Sequence, residues 1–396
     1  MSKERIQTTD PIALLREMVA IPSYVKREGD GSYEANETHM GEFVADYIRR
    51  NTDMVVETQE VVDGRFNVIA RGKGPTSVMM LGHLDTVQPR QGYKHPPFSA
   101  VVEDGKLYGL GSCDMKSGIS SILTAAATVE KTDGLMLLFY IDEEYDFAGM
   151  KAYVQKVPED LRPKIIVSAD GEEMEVMYAC RGLIEVSGFI RGESGHAGRS
   201  DSGKNAIYKA VDAIREVKAH LAKQFVSPQM GTTTLNLAYL RGGLDDGLDK
   251  DGVRQFGKEG NNIPDLAQFV IDVRPATPDL NAQQILEMIE ASCKEQKVEL
   301  EETSIRHDLG AWLSPIEDAQ DALDIIRQQV GTVNLKDPGS FGYVDVAMLW
   351  QKLRRSAVVV GPGARGTAHS NNEHVVEDEV YKAAELFKRI IEKYQR

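Results

Sequence analysis

Two histidines and several carboxylates stand at the ends of apolar runs in this chain. They are His83 and Asp85 in Gly82-His83-Leu84-Asp85-Thr86, Asp114 in Cys113-Asp114-Met115-Lys116, the run Asp142-Glu143-Glu144, Asp170 in Ser168-Ala169-Asp170-Gly171, and His369 in Thr367-Ala368-His369-Ser370. A hydrolytic pair of divalent metals needs such a set. Imidazole suits zinc, carboxylates bridge and neutralise the ions, and one spare carboxylate can move protons. These residues therefore point to two-metal hydrolysis of an amide bond.

Each motif also has a plainer reading. His83 and Asp85 lie on one face of an extended segment, so Asp85 is placed to receive the second ring N–H of a ligating His83. The same residues also suit a solvated turn. Asp114 precedes a helical stretch and could serve only as a cap. Asp142-Glu143-Glu144 crowds three acids at a strand end, where mutual repulsion is costly unless a cation relieves it. Two adjacent Glu residues can then divide the work, one ligating and one accepting a proton. Glu172 and Glu173 rival Asp170, and His374 rivals His369. Asp170 and His369 are preferred because each follows a strand candidate. His196, in a Gly-rich turn, has no role that spacing can assign.

The elements around these residues suggest how they are held. Thr9-Asp10-Pro11 is a helix start, a capping side chain followed by Pro at the first helical position. Helices are expected over 12–20, 38–50, 117–130 and 151–155, and strands over 54–61, 66–70, 77–81, 135–141 and 164–167. This alternation predicts an α/β fold, a mostly parallel sheet with helices on both faces. Ligands of such sheets gather at the carboxyl ends of the strands, where His83, Glu143, Glu144 and Asp170 fall. The middle of the chain differs. Strands over 183–190, 233–240, 266–273 and 298–306, with helices over 205–221 and 281–296, give the split order of a ferredoxin-like α+β domain. The expected organisation is a catalytic part over 1–181, an inserted lid over 182–308 and a second catalytic part over 309–396, closing with a strand at 357–360 and a helix from Glu377.

Composition narrows the function. A chain of 396 residues is long for one core. A net charge of −15 argues against a nucleic-acid partner, which calls for a basic face. No apolar run approaches the ~20 residues that span a bilayer. Cys113, Cys180 and Cys293 are isolated and form no CxxC pair, which fits a reducing compartment. The N-terminal residues Met1-Ser2-Lys3-Glu4-Arg5 lead into a polar stretch without a signal core. A cytoplasmic protein is expected.

Together the motifs GHLDTV, YGLGSCDMKSG, IDEEYDFAG, SADG, GESGHAGRSDSGKNAI, NNIPDLAQFVIDVRP and GTAHSNNEHV resemble, in order and across nearly the whole chain, the zinc aminoacylase and carboxypeptidase family. That family includes acetylornithine deacetylase, succinyl-diaminopimelate desuccinylase, glutamate carboxypeptidase and di- and tripeptidases. The resemblance implies that Asp114 bridges two zinc ions, with His83 and Asp170 completing one site and Glu144 and His369 the other. The same N/O donors also accept Mn²⁺ or Co²⁺. It further implies Glu143 as general acid/base, Asp85 as the residue orienting His83, and a cis bond between Asp114 and Met115. His196 would cross a lid-mediated homodimer interface to the partner's oxyanion, and Asn261 and Arg274 would contact the substrate carboxylate. One position departs from part of the family. Deacylases and carboxypeptidases usually carry Glu where Asp170 stands, and dipeptidases and aminopeptidases more often carry Asp. The expected substrate is a small peptide or other amino-acid amide with a free carboxylate; the alternative is an N-acyl amino acid.

Overall fold

The apolar runs near 78, 135 and 165 become strands with every residue buried: Val78–His83, Leu135–Tyr140 and Ile165–Ser168. The computed structural model of the protein describes residues 8–28, 33–199, 203–339 and 342–395. The N-terminal reading over residues 1–5, and residues 200–202 of the GESGHAGRSDSGKNAI motif, lie outside the described residues.

The chain divides into two compact units. The first comprises 1–178, 314–336 and 348–396, the second 179–313 and 337–347. The second is wider than the expected 182–308 because Ala179 and Cys180 pair with Leu313 and Trp312. It also takes 337–347, expected in the outer part, because Gly339 lies against Met230 and Arg181.

In the first unit a six-stranded mixed sheet runs in the order Ala357–Val359, Ile165–Ser168, Val78–His83, Leu135–Tyr140, Arg65–Arg71, Val55–Val62. The first four strands are mutually parallel; Arg65–Arg71 runs antiparallel to Leu135–Tyr140, and Val55–Val62 runs antiparallel to Arg65–Arg71. Successive side chains of a strand point to opposite faces. Leu135, Leu137 and Phe139 accordingly join one cluster with Val44 and Ile48 of the Thr38–Asn51 helix, Ile119 and Ile122 of Ser117–Thr128, and Phe387 and Ile390 of Glu377–Tyr394. Met136, pointing the other way, meets the hydroxyl of Tyr153 on the Ala148–Lys156 helix. The register aligns His83 with Tyr140 and Leu81 with Ser168. The segments that leave these strands therefore emerge at one edge, the carboxyl ends. His83 is itself the last strand residue rather than part of a following turn, because its backbone continues the ladder with Tyr140.

The second unit has its own antiparallel sheet, in the order Arg254–Gly257, Thr234–Leu248, Leu266–Arg274, Leu183–Arg191, Glu299–Leu309. Helices Ala206–Gln224 and Ala282–Glu295, capped by Asn205 and Asn281, bury their apolar stripes against one face. The strand expected at 233–240 runs on to Leu248. Gly242 and Gly243 resemble a loop in sequence, but here they let strands close in. A Cβ at Gly243 would lie 2.2 Å from the carbonyl oxygen of Gly257.

Candidate metal centre

The turn after the Lys106–Tyr108 strand places Asp114 at a kink within Ser112–Lys116, where its backbone (φ −121°, ψ 98°) leaves helical geometry, before the Ser117–Thr128 helix. Its conformation is held from a distance. Glu373, 3% exposed, accepts the backbone N–H groups of Cys113 (3.1 Å) and Asp114 (3.2 Å) through Oε1. The buried Lys116 ammonium donates to the carbonyls of Met18 (3.1 Å) and Ile21 (2.8 Å), tying the turn to the end of the Pro11–Val19 helix. The Asp114–Met115 peptide bond is cis, as the resemblance implies. Met115 packs so closely on the neighbouring strand that a Cβ at Gly82 would lie 2.5 Å from its Cε.

Asp114 uses both carboxylate oxygens. Oδ1 is 2.9 Å from His83 Nε2 and Oδ2 is 3.3 Å from His369 Nε2. His369 Nε2 is also 2.9 Å from Glu144 Oε1. Two groups of donor atoms result, His83 with Asp114 and Asp170, and Asp114 with Glu144 and His369; within each, all atoms lie within 4.8 Å of one another. Donors around a tetrahedral zinc at ~2.0–2.1 Å stand roughly 3.4 Å apart, so each group can close on one ion with small movements. The five residues span positions 83 to 369 and converge, with Asp114 common to both groups.

The donor chemistry supports a cation. The carbonyl oxygen of Asp85 lies 3.2 Å from His83 Nδ1. A carbonyl can only accept, so Nδ1 carries a proton. Burial opposes a charge on His83, but bonds to Asp114 and Asp85 raise it well above its ordinary value, so Nε2 donates a second proton to Asp114 at 2.9 Å, and that proton is the one a metal ion would replace. The charge balance agrees. Burial opposes it, but bonds to His369 and His83 hold the Asp114 carboxyl well below the usual carboxylate range. Bonds to Asp114 and Glu144 lift His369 to about 10. Burial and the Asp114 charge push Asp170 up to about 7. Burial likewise raises Glu144. Three carboxylates thus exceed two imidazoles, a deficit that divalent ions would fill.

The rivals are engaged elsewhere. Glu172 pairs with Lys336 at 3.0 Å, Glu173 with Arg365 at 3.1 Å, and His374 lies on the His374–Val376 strand with Nδ1 2.7 Å from the Asn372 carbonyl. Asp85 does more than face His83. Its carboxylate accepts the backbone N–H of Glu143 (3.1 Å) and of Glu144 (3.0 Å), fixing the segment that carries both acids. Glu143 is half-buried beside Glu144.

The remaining expected residues lie in the second unit. His196 is exposed, and its Nδ1 accepts the Gly198 N–H at 3.0 Å. It pairs with Asn262, and the Ala197 N–H donates to the Asn261 carbonyl at 2.8 Å, so His196 and Asn261 are brought together. Arg274, at the end of the Leu266–Arg274 strand, forks onto Asp272 at 2.8 and 3.0 Å. Sequence reasoning missed Glu373, Lys116, Glu37 and Arg65. Glu373 carried a faint signal, an acid beside His374 in the final motif; the others carried none.

Residues 79–393 match the model of Peptidase family M20/M25/M40. Acetylornithine deacetylase of Photorhabdus laumondii is 25% identical over 378 residues, covering 92% of each chain. Among solved structures, an M20 family metallo-carboxypeptidase, Sso-CP2 of Sulfolobus solfataricus, superposes with a TM-score of 0.73 at 15% identity, over 98% of this chain and 99% of that one. Aminopeptidase PepT of Bacillus cereus gives 0.71 at 19% identity, over 98% of each chain. These two share the fold. The class that results is a metal-dependent hydrolase. More narrowly, the chain belongs to peptidase family M20/M25/M40.

Proposed function

We propose that the protein hydrolyses the amide bond of a small peptide whose free carboxylate anchors it, using two zinc ions held by His83, Asp114 and Asp170 and by Asp114, Glu144 and His369. The observation that carries this reading is the Asp114 carboxylate, with one oxygen towards each ligand group. When bound, such ions polarise the scissile carbonyl and lower the pKa of water. Glu143, set by the Asp85 clamp on its backbone, accepts the attacking water's proton and returns it to the leaving amine. Asp85 fixes the His83 tautomer.

The second unit, with the lid assigned to 182–308, supplies His196 to the developing oxyanion of a partner subunit. Asn261 and Arg274 bind the substrate carboxylate, Arg274 with the donors not spent on Asp272. The dimer forms along the Thr234–Leu248 strand, whose 234–243 stretch pairs on one side only among the described residues. An uncovered strand edge favours pairing with a second copy across a two-fold axis. No described helix is long and apolar enough to cross a membrane, and the three cysteines are unpaired, consistent with a cytoplasmic enzyme.

Asp170 in place of Glu favours a peptidase. The likeness to acetylornithine deacetylase favours a second reading, an N-acyl-amino-acid deacylase. A panel of dipeptides and N-acetyl and N-succinyl amino acids, assayed with zinc-loaded protein, separates the two. Chelator-sensitive cleavage of dipeptides is expected. Turnover of acylated amino acids alone would establish the second reading, and turnover that survives complete metal removal would exclude both.

A further inference from the structure

Three consecutive backbone amides carry the acids of the site, and each donates to a buried carboxylate. Asp142 N–H bonds Glu37 Oε1 at 3.2 Å, while Glu143 and Glu144 N–H bond the two oxygens of Asp85 at 3.1 and 3.0 Å. The segment needs this support. Asp142 turns the chain out of the Leu135–Tyr140 strand at φ 64°, and Phe147 enters the next helix at φ 57°, both left-handed conformations that non-glycine residues adopt at a cost.

Glu37 and Asp142 are held together by one cation. Arg65 donates from Nε to Glu37 Oε2 (2.7 Å), and from Nη2 to Glu37 Oε1 (2.5 Å) and Asp142 Oδ1 (2.9 Å). The side chains of Arg65, Glu37 and Asp142 are 6%, 0% and 9% exposed. Asp142 closes the loop from its other oxygen, which accepts the Ala148 N–H at 3.3 Å. Burial pushes the Glu37 carboxyl up, and Arg65 opposes that push. A guanidinium fork meets both oxygens of a carboxylate in a fixed plane, which an ammonium cannot do. None of the three belongs to either ligand group.

We infer that Glu37, Arg65 and Asp142 form a positioning network for the proton-transfer residue, with Arg65 the counter-ion that fixes the Asp142 turn and so the place of Glu143. This rests on the reading of Glu143 given above.

The test compares Arg65→Gln, Arg65→Lys and Glu37→Gln with Glu143→Gln in metal-loaded protein. Arg65→Gln is expected to lower kcat by ~10²-fold, the scale set by a misplacement of ~1 Å, with KM within about twofold. Arg65→Lys recovers part of the loss, since it restores the charge without the fork. Glu37→Gln, which keeps an acceptor for the Asp142 N–H, falls by about tenfold, on the lower side of the same scale. Hydrogen exchange provides a readout independent of turnover. Peptides covering 141–147 should exchange faster in the network variants while the Val78–His83 strand keeps its protection. Should Arg65→Gln fail to fold, the milder pair carries the test. Wild-type kcat in those two, or equal losses in kcat and 1/KM with unchanged exchange over 141–147, overturns the network while Glu143→Gln stays inactive. Near-normal turnover in Glu143→Gln removes the role of Glu143, and the network falls with it.

Discussion

Glu373 Oε1 accepts the N–H of Asp114, a residue 259 positions earlier, at 3.2 Å. The same oxygen holds the neighbouring Cys113 N–H. A side chain from the end of the chain therefore sets the backbone on which the shared carboxylate stands. Glu373→Ala leaves both buried amides without this acceptor and is expected to cost about 1–3 kcal/mol of stability. Metal affinity should fall by ~10–100-fold, as when the support of a ligand is lost. Glu373→Gln keeps an acceptor and should lie close to wild type in both. Thermal melts and chelator competition measure the two effects; equal affinity in all three proteins would remove this role.

Asp114 is the only residue common to both ligand groups. Asp114→Asn removes one negative charge from both at once. Metal content, read by elemental analysis after dialysis, is expected to drop below two ions per chain, with loss of turnover. Asp170→Asn should spare the Glu144 and His369 group. Two ions retained by Asp114→Asn would refute the shared position.

The pH dependence of the metal-stripped protein has a definite sign. Asp170 is raised from 3.8 to about 7, so the folded state keeps its proton after the unfolded chain has lost it. The stability this proton contributes is fully present below ~4 and lost as pH rises through ~7. His369 is raised from 6.5 to about 10, and its contribution is present below ~6.5 and lost as pH rises through ~10. The melting temperature of stripped protein should therefore fall between pH 5 and 9. Asp170→Asn should flatten the lower half of that fall. A melting temperature that climbs across this range in stripped wild-type protein would contradict the charge balance described for the site.

The proposed trans role of His196 predicts complementation. Chains carrying Glu143→Gln and His196→Ala are each expected to be inactive. When subunits exchange, the His196→Ala chain keeps Glu143 and receives an intact His196 from its partner. One active site per heterodimer should recover. Proven exchange without recovery would place His196 in its own chain's chemistry or outside the reaction.

What the sequence made legible follows from locality. His83, Glu144 and Asp170 could be read because buried parallel strands announce themselves as short apolar runs, and the residues at their ends share one edge once the register aligns His83 with Tyr140. Asp114 reads from its sequence either as a helix cap or as a bridging carboxylate held by a stiff loop, and only the fold, which brings His369 from 255 positions later to its second oxygen, favours the bridge. Arg65 and Glu37 gave no sign at all. An Arg in one strand and a Glu before a helix look like surface charges until the fold buries them against Asp142. The strand expected over 233–240 runs on to Leu248 through Gly242 and Gly243, and only the neighbouring strands show why a side chain is excluded there.

The hold of Glu373 on the Asp114 turn has a consequence for biosynthesis. A chain translated only as far as residue 360 already contains His83, Asp114, Glu144 and Asp170. It lacks His369, which completes the second ligand group, and Glu373, which fixes the backbone beneath the first. Both groups therefore draw on the segment 369–373, since His369 completes the second and Glu373 holds the Asp114 backbone that serves both. A chain cut short before it is expected to bind metal more weakly at both positions, not at the second alone.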